Sequence, residues 1–196
     1  SGRSNLAATL GQKFGDAVTP EVKTNLLTKV QDLEHRGYQF EHAPASLELL
    51  MYEALEKRPA FWVRDHYRCV ILGVPEEPTQ TEAIVKLSVN GTVEHRVAEG
   101  DGPVNALDAA LRKCLAEHYP QIDELTLTDY AVRVVNPTAQ SAAKVRATAE
   151  FEAKDTDGNL RRFSTIGVDE NIVDASWQAL SDAIQYHLIE VGAAKS

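Results

Sequence analysis

The residues best placed to do chemistry lie in one short stretch, Gly100-Asp101-Gly102-Pro103-Val104-Asn105. Two glycines and a proline close a run of alternating residues, and an apolar-periodic helix follows. A loop of this kind can hold a phosphate on backbone N–H groups. This one lacks a third glycine at the dinucleotide-binding spacing and lacks the Gly-Lys-Ser/Thr of a P-loop. The strand before it belongs to a hairpin rather than to a parallel βαβ unit, and Asp101 repels a phosphate. A smaller anion remains. Pro103 suits the first helical position, where backbone N–H groups have no partner within the helix. Such a helix start favours a carboxylate by about 0.3–1 kcal/mol when exposed. The adjacent Asp101 suits an ammonium. Together they fit a zwitterion, a free amino acid. The alternative on the loop alone is that Asp101 and Gly102 only turn and cap the chain.

No catalytic constellation accompanies the loop. The six histidines, His35, His42, His66, His95, His118 and His187, form neither a His-x-His nor a His-x-x-x-His pair. His35 and His42 straddle Gly37, and the two cysteines form no Cys-x-x-Cys pair, so no metal site is expected. There is no Gly-x-Ser-x-Gly elbow. The acidic residues are spread over solvated faces, and no acid/base pair stands out among them.

The elements that must position the loop follow from the rest of the chain. Its 196 residues are 43% hydrophobic and 25% charged, an ordinary globular composition. No apolar run is long enough to span a bilayer, and no signal-peptide core is visible near the first residues. Twenty basic residues against 29 acidic ones give a net charge of −9, which argues against a nucleic-acid partner. The cysteines lie far apart in apolar patterns and read as buried free thiols in a reducing cytoplasm. The only methionine is Met51, so the chain is expected to be a piece of a longer one.

The first 59 residues read as helical. "SNLAATLGQKFG" is expected to form a short helix ending at Gly11 or Gly15. Thr19 as N-cap, Pro20 at the first helical position and Gly37 as a stop bracket a second helix with Val22, Leu26, Val30 and Leu33 on one face. "SLELLMYEALEKR" follows, with Leu47, Leu50, Met51, Ala54 and Leu55 on one side and Pro59 as its end. From about Phe61 the period changes to two. "AIVKLSV" and "TVEHRVAE" flank Asn90-Gly91, a strong hairpin signal. A helix then carries Val104, Leu107, Leu111 and Leu115 on one face. The same order repeats: "LTLTDYAVRVV", whose alternation slips between Leu127 and Tyr130 as at a bulge, "AKVRATAEFEA", a turn at Asp157-Gly158, "LRRFSTIGV", and a helix with Ile172, Ala175, Ala179 and Ile184 aligned. "VNALDAAL" overlays "VDASWQAL", Val104 on Val173 and Leu111 on Leu180. The expected fold is α+β: a helical segment, 1–59, then a domain over 60–196 of two pseudo-symmetric βββα units, about 61–119 and 120–190, with antiparallel sheets. The faces left uncovered in such a pair commonly meet a second copy.

"SGRSNL" at the start, "GYQFEHAPASLELL" at 37–50, "GDGPVNALDAAL" at 100–111 and "NPTAQSAAKVRATAEFE…GVDENIVDASWQALSDAIQYHL" at 136–188 together resemble the C-terminal half of the isopropylmalate synthase and citramalate synthase family, in collinear order over nearly the whole chain. "AAKVRATAEFE" and "NIVDASWQAL" are more similar to citramalate synthases. The resemblance implies a parent acyltransferase that condenses acetyl-CoA with a 2-oxo acid, pyruvate in citramalate synthases, on a divalent metal in a TIM barrel preceding this part. The barrel's metal motifs are not in this sequence, so the segment alone is expected to hold no cofactor and to be inactive. Residues 1–59 resemble the linker after the barrel and the remainder the regulatory domain, a homodimer that binds the pathway end product. That product is isoleucine for citramalate synthases and leucine for isopropylmalate synthases, and its binding inhibits the distant active site.

The effector positions implied by the resemblance are Gly100 to Asn105 in the first repeat, and in the second the turn Asn136-Pro137-Thr138-Ala139 with the helix start Asp169-Glu170-Asn171-Ile172. Gly102, Pro103 and Asn105 are the expected carboxylate side. Asp101 or Thr138 would take the ammonium, and Val104, Ala139 or Ile172 would form the apolar wall. The competing readings are a leucine-binding domain of an isopropylmalate synthase, a purely structural dimerisation module without an effector, and an acid/base enzyme in its own right. No convergent set of titratable residues supports the last of these.

Overall fold

Thr19 and Pro20 open a helix as their order predicts. In the computed structural model, which describes residue 8 and residues 10–135 and 143–193, α1 spans Pro20–His35, and the Thr19 hydroxyl accepts from the Val22 N–H at 3.2 Å. Residues 10–14 before it are helical and pass into a 3₁₀ turn at Gly15–Ala17. Gly37 does more than stop α1. Its φ is +111°, and a Cβ there would stand 3.0 Å from Val135 Cγ2 and 3.3 Å from Val168 Cγ1. The turn after α1 is therefore seated on the second sheet.

The next helix, α2, spans Pro44–Ala54. The sequence pattern predicts a helix from Ser46 to Arg58 with one apolar side. Instead, Leu55 caps it and Glu56 turns out at φ +55°, before Pro59 is reached. It is also buried on two sides. Leu49 belongs to the main core, while Leu47 and Met51 face α1. A helix lodged between two clusters needs apolar residues around more of its circumference than a surface helix does.

The first unit is an antiparallel sheet, β1 (Val63–Leu72), β2 (Gln80–Val89) and β3 (Thr92–Gly100), followed by α3 (Pro103–Leu115). Asn90 and Gly91 turn the hairpin with φ of +50° and +79°, as a type I′ turn requires. The second unit is β4 (Leu125–Val135), β5 (Lys144–Lys154) and β6 (Leu160–Asp169), then α4 (Ile172–Glu190). Both first strands carry an irregularity at the same place, between Arg64 and His66 and between Leu127 and Asp129. The slip in the pattern predicts only the second.

Strict alternation in β2 buries Thr81, Ala83, Val85, Leu87 and Val89 toward α3, and α3 lies mainly over β2 and β3. Leu111 and Leu180, matched by the sequence overlay, are both fully buried in one cluster shared by the two units. Ile172 departs from its expected core position. It sits at the first residue of α4 and is 40% exposed, whereas Ala175, Ala179 and Ile184 are buried. Cys114 is buried as expected. Cys69 is only half-buried, because it lies on the edge strand that α3 barely covers. Both thiols are free.

A second cluster joins the helical segment to the second unit. Leu26, Val30, Phe40, Leu47 and Met51 pack with Ile166 and Val168 on the outer face of β6. Side chains also cap the free edge of β6, which would otherwise expose unpaired backbone groups. The Ile166 N–H donates to Ser46 Oγ at 3.0 Å and the Val168 N–H to Gln178 Oε1 at 3.2 Å. Ser46 Oγ then donates to Asp182 Oδ2 at 2.9 Å, and Arg58 Nη2 donates to Asp182 Oδ1 at 3.2 Å. Among the described residues no helix is long and apolar enough to cross a membrane.

Candidate functional site at the helix starts

The loop singled out by the sequence is the start of α3. Pro103 is its first residue, as predicted, and Gly102 is its N-cap. Gly102 is extended, with φ −167°, and its N-cap position carries no side-chain hydrogen bond. Serine, threonine, asparagine or aspartate would normally fill that role. The first-turn N–H groups, which have no partner within a helix, are thus left without a side-chain acceptor among the described residues. Asp101 and Asn105 are exposed, and Pro103 and Val104 are half-buried.

The two glycines do different things. A Cβ on Gly100 would lie 2.5 Å from the Ala106 backbone nitrogen and 2.9 Å from the Asn105 carbonyl carbon, so glycine lets the end of β3 touch the first turn of α3. Gly102 has open space around it. Gly100 shapes the site, while Gly102 keeps it clear.

The start of α4 is built differently. Asn171 Oδ1 accepts from the Val173 N–H at 2.7 Å, and Asp169 Oδ1 accepts from the Asn171 N–H at 3.1 Å. The side-chain oxygens of Asp169 and Asn171 are therefore engaged in capping their own helix, and the sequence-matched starts are not chemically equivalent. Among the described residues no hydrogen bond joins the loop 100–105 to the start 169–172. Asn136, Pro137, Thr138 and Ala139 lie outside the described residues.

Strand register brings in residues that the sequence reading missed. Ile71, Thr81 and Gly100 form one row across the first sheet, ending at the start of α3. Thr81 is buried on the helix-facing side, and alternation puts Ile71, Cys69 and Tyr67 on that same side of β1. In the second sheet Val134, Val145 and Asp169 form the matching row, with Tyr130 and Val132 alternating below Val134. The bulges set Tyr67 and Tyr130 at equivalent places. Ile71 is 61% exposed and Val134 69%, although both face the helix layer. Each helix start is thus flanked by an uncovered apolar ledge on an edge strand. The sequence shows a slip in only one of the two strands, and the ledges become visible only when strand partners are known.

Both tyrosines reach α4. The Tyr67 hydroxyl donates to Asp174 Oδ1, and the Tyr130 and Ser176 hydroxyls are 2.6 Å apart. Burial, and then the Asp174 carboxylate, push the Tyr67 phenol above its ordinary range, so it stays a donor. Further along α3, burial raises the Asp108 carboxyl while Arg112, at 3.0 Å, opposes that shift. Asp108 is therefore already paired. No group of three or more His, Cys, Asp or Glu side chains that could hold a metal exists among the described residues. The arrangement sets the first-turn N–H donors of α3 beside an uncovered apolar ledge.

Comparison with known proteins shows the family of the chain. A family model described as the LeuA allosteric (dimerisation) domain matches residues 41–188. The chain is 45% identical over 194 residues to an (R)-citramalate synthase of Aquifex aeolicus, covering 97% of this chain and 35% of that protein. It is 42% identical over 192 residues to an (R)-citramalate synthase of Geobacter sulfurreducens, covering 96% of this chain and 35% of the relative. A 2-isopropylmalate synthase of Aquifex aeolicus is 27% identical over 195 residues, covering 96% of this chain and 33% of the relative. The chain therefore spans about a third of the length of the curated relatives it matches.

Proposed function

We propose that this chain, which belongs to the LeuA allosteric (dimerisation) domain family, is the amino-acid-sensing and dimerising module of a citramalate synthase-like enzyme, with isoleucine as its feedback inhibitor. The observation that carries the reading is the start of α3. Its N-cap is a glycine with no side-chain acceptor, while α4 caps itself through Asn171. A ligand carboxylate would take the first-turn N–H groups, Asp101 would face the ammonium, and Val104 with the Ile71 ledge would meet the aliphatic side chain.

A second copy of the chain would cover the ledges. Ile71, Val132, Val134 and Ile172 are at least one-third exposed, and they border the helix starts rather than the outer sheet faces. A homodimer closed there would bury the effector between copies. The condensation of acetyl-CoA with pyruvate would belong to the remainder of a longer enzyme, and α1 and α2 would carry the signal toward it. Inhibition requires the effector to prefer one arrangement of the two parts over another.

Identities of 45% and 42% to citramalate synthases, against 27% to a 2-isopropylmalate synthase, favour isoleucine over leucine. Discrimination by a methyl's placement in an apolar pocket is worth only about 1–3 kcal/mol. Calorimetric titration of the chain with isoleucine, leucine and valine tests the proposal. Saturable binding with isoleucine tightest is expected. Absence of binding by all three at millimolar concentration leaves a structural dimerisation module.

A further inference from the structure

The outer face of the second sheet carries a charge arrangement on the side away from α4 and its start. Arg133 on β4 and Arg146 on β5 are direct cross-strand partners. Both point away from α4, since Ala147 next to Arg146 is fully buried on the helix side. Like charges directly opposite one another on adjacent strands destabilise a sheet. Arg133 makes no hydrogen bond or ion pair among the described residues. Arg146 Nε donates to the Gly37 carbonyl at 2.7 Å, which fixes its guanidinium plane and leaves its terminal nitrogens without a partner among the described residues. Burial, and then the charge of Arg133, pull the Arg146 guanidinium below its ordinary range.

The chain has carboxylates to spare, with 29 acidic residues against 20 basic. Among the described residues none forms an ion pair with either arginine. Glu41 and Glu150 border the same groove, yet neither forms an ion pair with either arginine. The groove, about 740 Å³, runs between the sheet face and the turn after α1. Thr148 and Ser164 place hydroxyls on its floor, and His42 stands on its wall.

We propose that this groove binds the dianionic group of a small metabolite, a phosphate monoester or a dicarboxylate, held between the guanidinium forks of Arg133 and Arg146. Two forks on neighbouring strands match an anion with several oxygens, and each can donate two parallel N–H bonds. The hydroxyls of Thr148 and Ser164 supply neutral donors beneath it. The groove is large enough to take the rest of the molecule along the sheet. Arg146 also ties the ligand to the Gly37 turn, so occupancy would hold the helical segment to the second unit.

Inorganic phosphate and malonate, each titrated into the whole chain at constant ionic strength with chloride as the control, provide the test. The arginine Nε–H resonances are followed by NMR. The proposal expects saturable shifts of Arg133 and Arg146 with phosphate, malonate or both, and at least tenfold weaker binding in Arg133→Gln. Saturation by phosphate alone assigns a phosphate ester; saturation by malonate alone assigns a dicarboxylate. Arg133 is exposed and without hydrogen bonds among the described residues, so the variant is expected to unfold at or slightly above the wild-type temperature and to titrate with isoleucine as the wild type does. Linear shifts equal to those given by chloride, or an affinity unchanged in Arg133→Gln, overturn the proposal without touching the reading of the α3 start.

Discussion

Tyr67 stacks on Trp177 with ring centroids 4.5 Å apart and planes 18° apart, joining the first strand of one repeat to the helix of the other. Arg64 lies over both rings, 5.1 Å from the Tyr67 centroid and 6.0 Å from that of Trp177. The contact closes the two units into one core, because β1 is barely covered by its own helix. Trp177→Ala is expected to cost about 3–5 kcal/mol, as for other buried aromatic residues. Tyr67→Phe keeps the stack and loses only the bond to Asp174, a loss of about 1–2 kcal/mol. Urea unfolding of the two variants checks the order. A Tyr67→Phe loss as large as that of Trp177→Ala would show that the hydrogen bond, not the stack, joins the repeats.

The glycine pair in the loop separates shape from function. Gly100→Ala puts a Cβ 2.5 Å from a backbone nitrogen of α3, and Gly167→Ala puts one 2.0 Å from the Ala175 carbonyl oxygen. Neither obstacle is a flexible side-chain end, so each substitution should cost about 1–3 kcal/mol or more through forced backbone movement. Gly102→Ala meets nothing within 4 Å and adopts an ordinary φ. Its stability should stay within about 1 kcal/mol of the wild type. Thermal unfolding of the three single variants measures the contrast.

What the sequence could and could not show follows from the range of the interactions. Thr19, Pro20, Asn90-Gly91 and Pro103 act within a few residues, and their local chemistry predicts the elements they begin or turn. The internal repeat was visible because Leu111 and Leu180 occupy equivalent core positions. Ser46 and Gly37 were not legible, since they are seated against β6, more than 110 residues away. The loop 100–105 was found from its glycines. The ledge of Ile71 and Val134 beside the helix starts depends on strand register, which no local pattern encodes. The difference between an uncapped α3 and a self-capped α4 was written in Gly102 and Asn171, but only knowledge of the true N-cap position gives it meaning.

Asp182 should give the domain a distinctive pH response. Burial raises its carboxyl to about 6, against the opposing pull of Arg58 and the hydrogen bond from Ser46. Between the unfolded value near 4 and this folded value, the folded chain holds a proton that the unfolded chain has lost. The stability contributed by the protonated carboxyl is therefore present below about pH 4 and is lost as pH rises toward 6. Asp182→Asn should gain stability relative to the wild type over that window. The side chain keeps 23% of its surface in water, so the gain is expected to be about 1–2 kcal/mol rather than the full two-unit equivalent. Denaturation series from pH 4 to pH 7 on both proteins measure it, and a constant difference across the range would refute the assignment.

His187 works in the opposite direction. It is fully buried, with Nε2 2.9 Å from the Gln121 carbonyl oxygen and Nδ1 buried without a partner. Burial lowers its pKa, while the Gln121 carbonyl opposes the shift. The folded chain keeps a neutral imidazole where the unfolded chain would already be protonated. Its contribution is present above the unfolded value near 6.5 and falls as pH drops below it, with a slope of at most about 1.4 kcal/mol per pH unit. His187→Gln should remove that slope between pH 6.5 and pH 5. Because Asp182 acts in the same interval with the opposite sign, the comparison belongs in an Asp182→Asn background.

The role of the α3 start can be tested by supplying the cap that it lacks. Gly102→Asp would place a carboxylate on the first-turn N–H groups, the groups assigned to the effector's own carboxylate. A better N-cap and a favourable helix dipole should stabilise the chain by a few tenths to about 1 kcal/mol. The same carboxylate should weaken isoleucine binding at least tenfold, through competition for donors and repulsion of like charge. Gly102→Ala supplies no carboxylate and should bind nearly as the wild type does. Calorimetry and thermal unfolding on the pair read affinity and stability separately. A Gly102→Asp chain that is more stable and still binds isoleucine with wild-type affinity would move the effector away from this helix start.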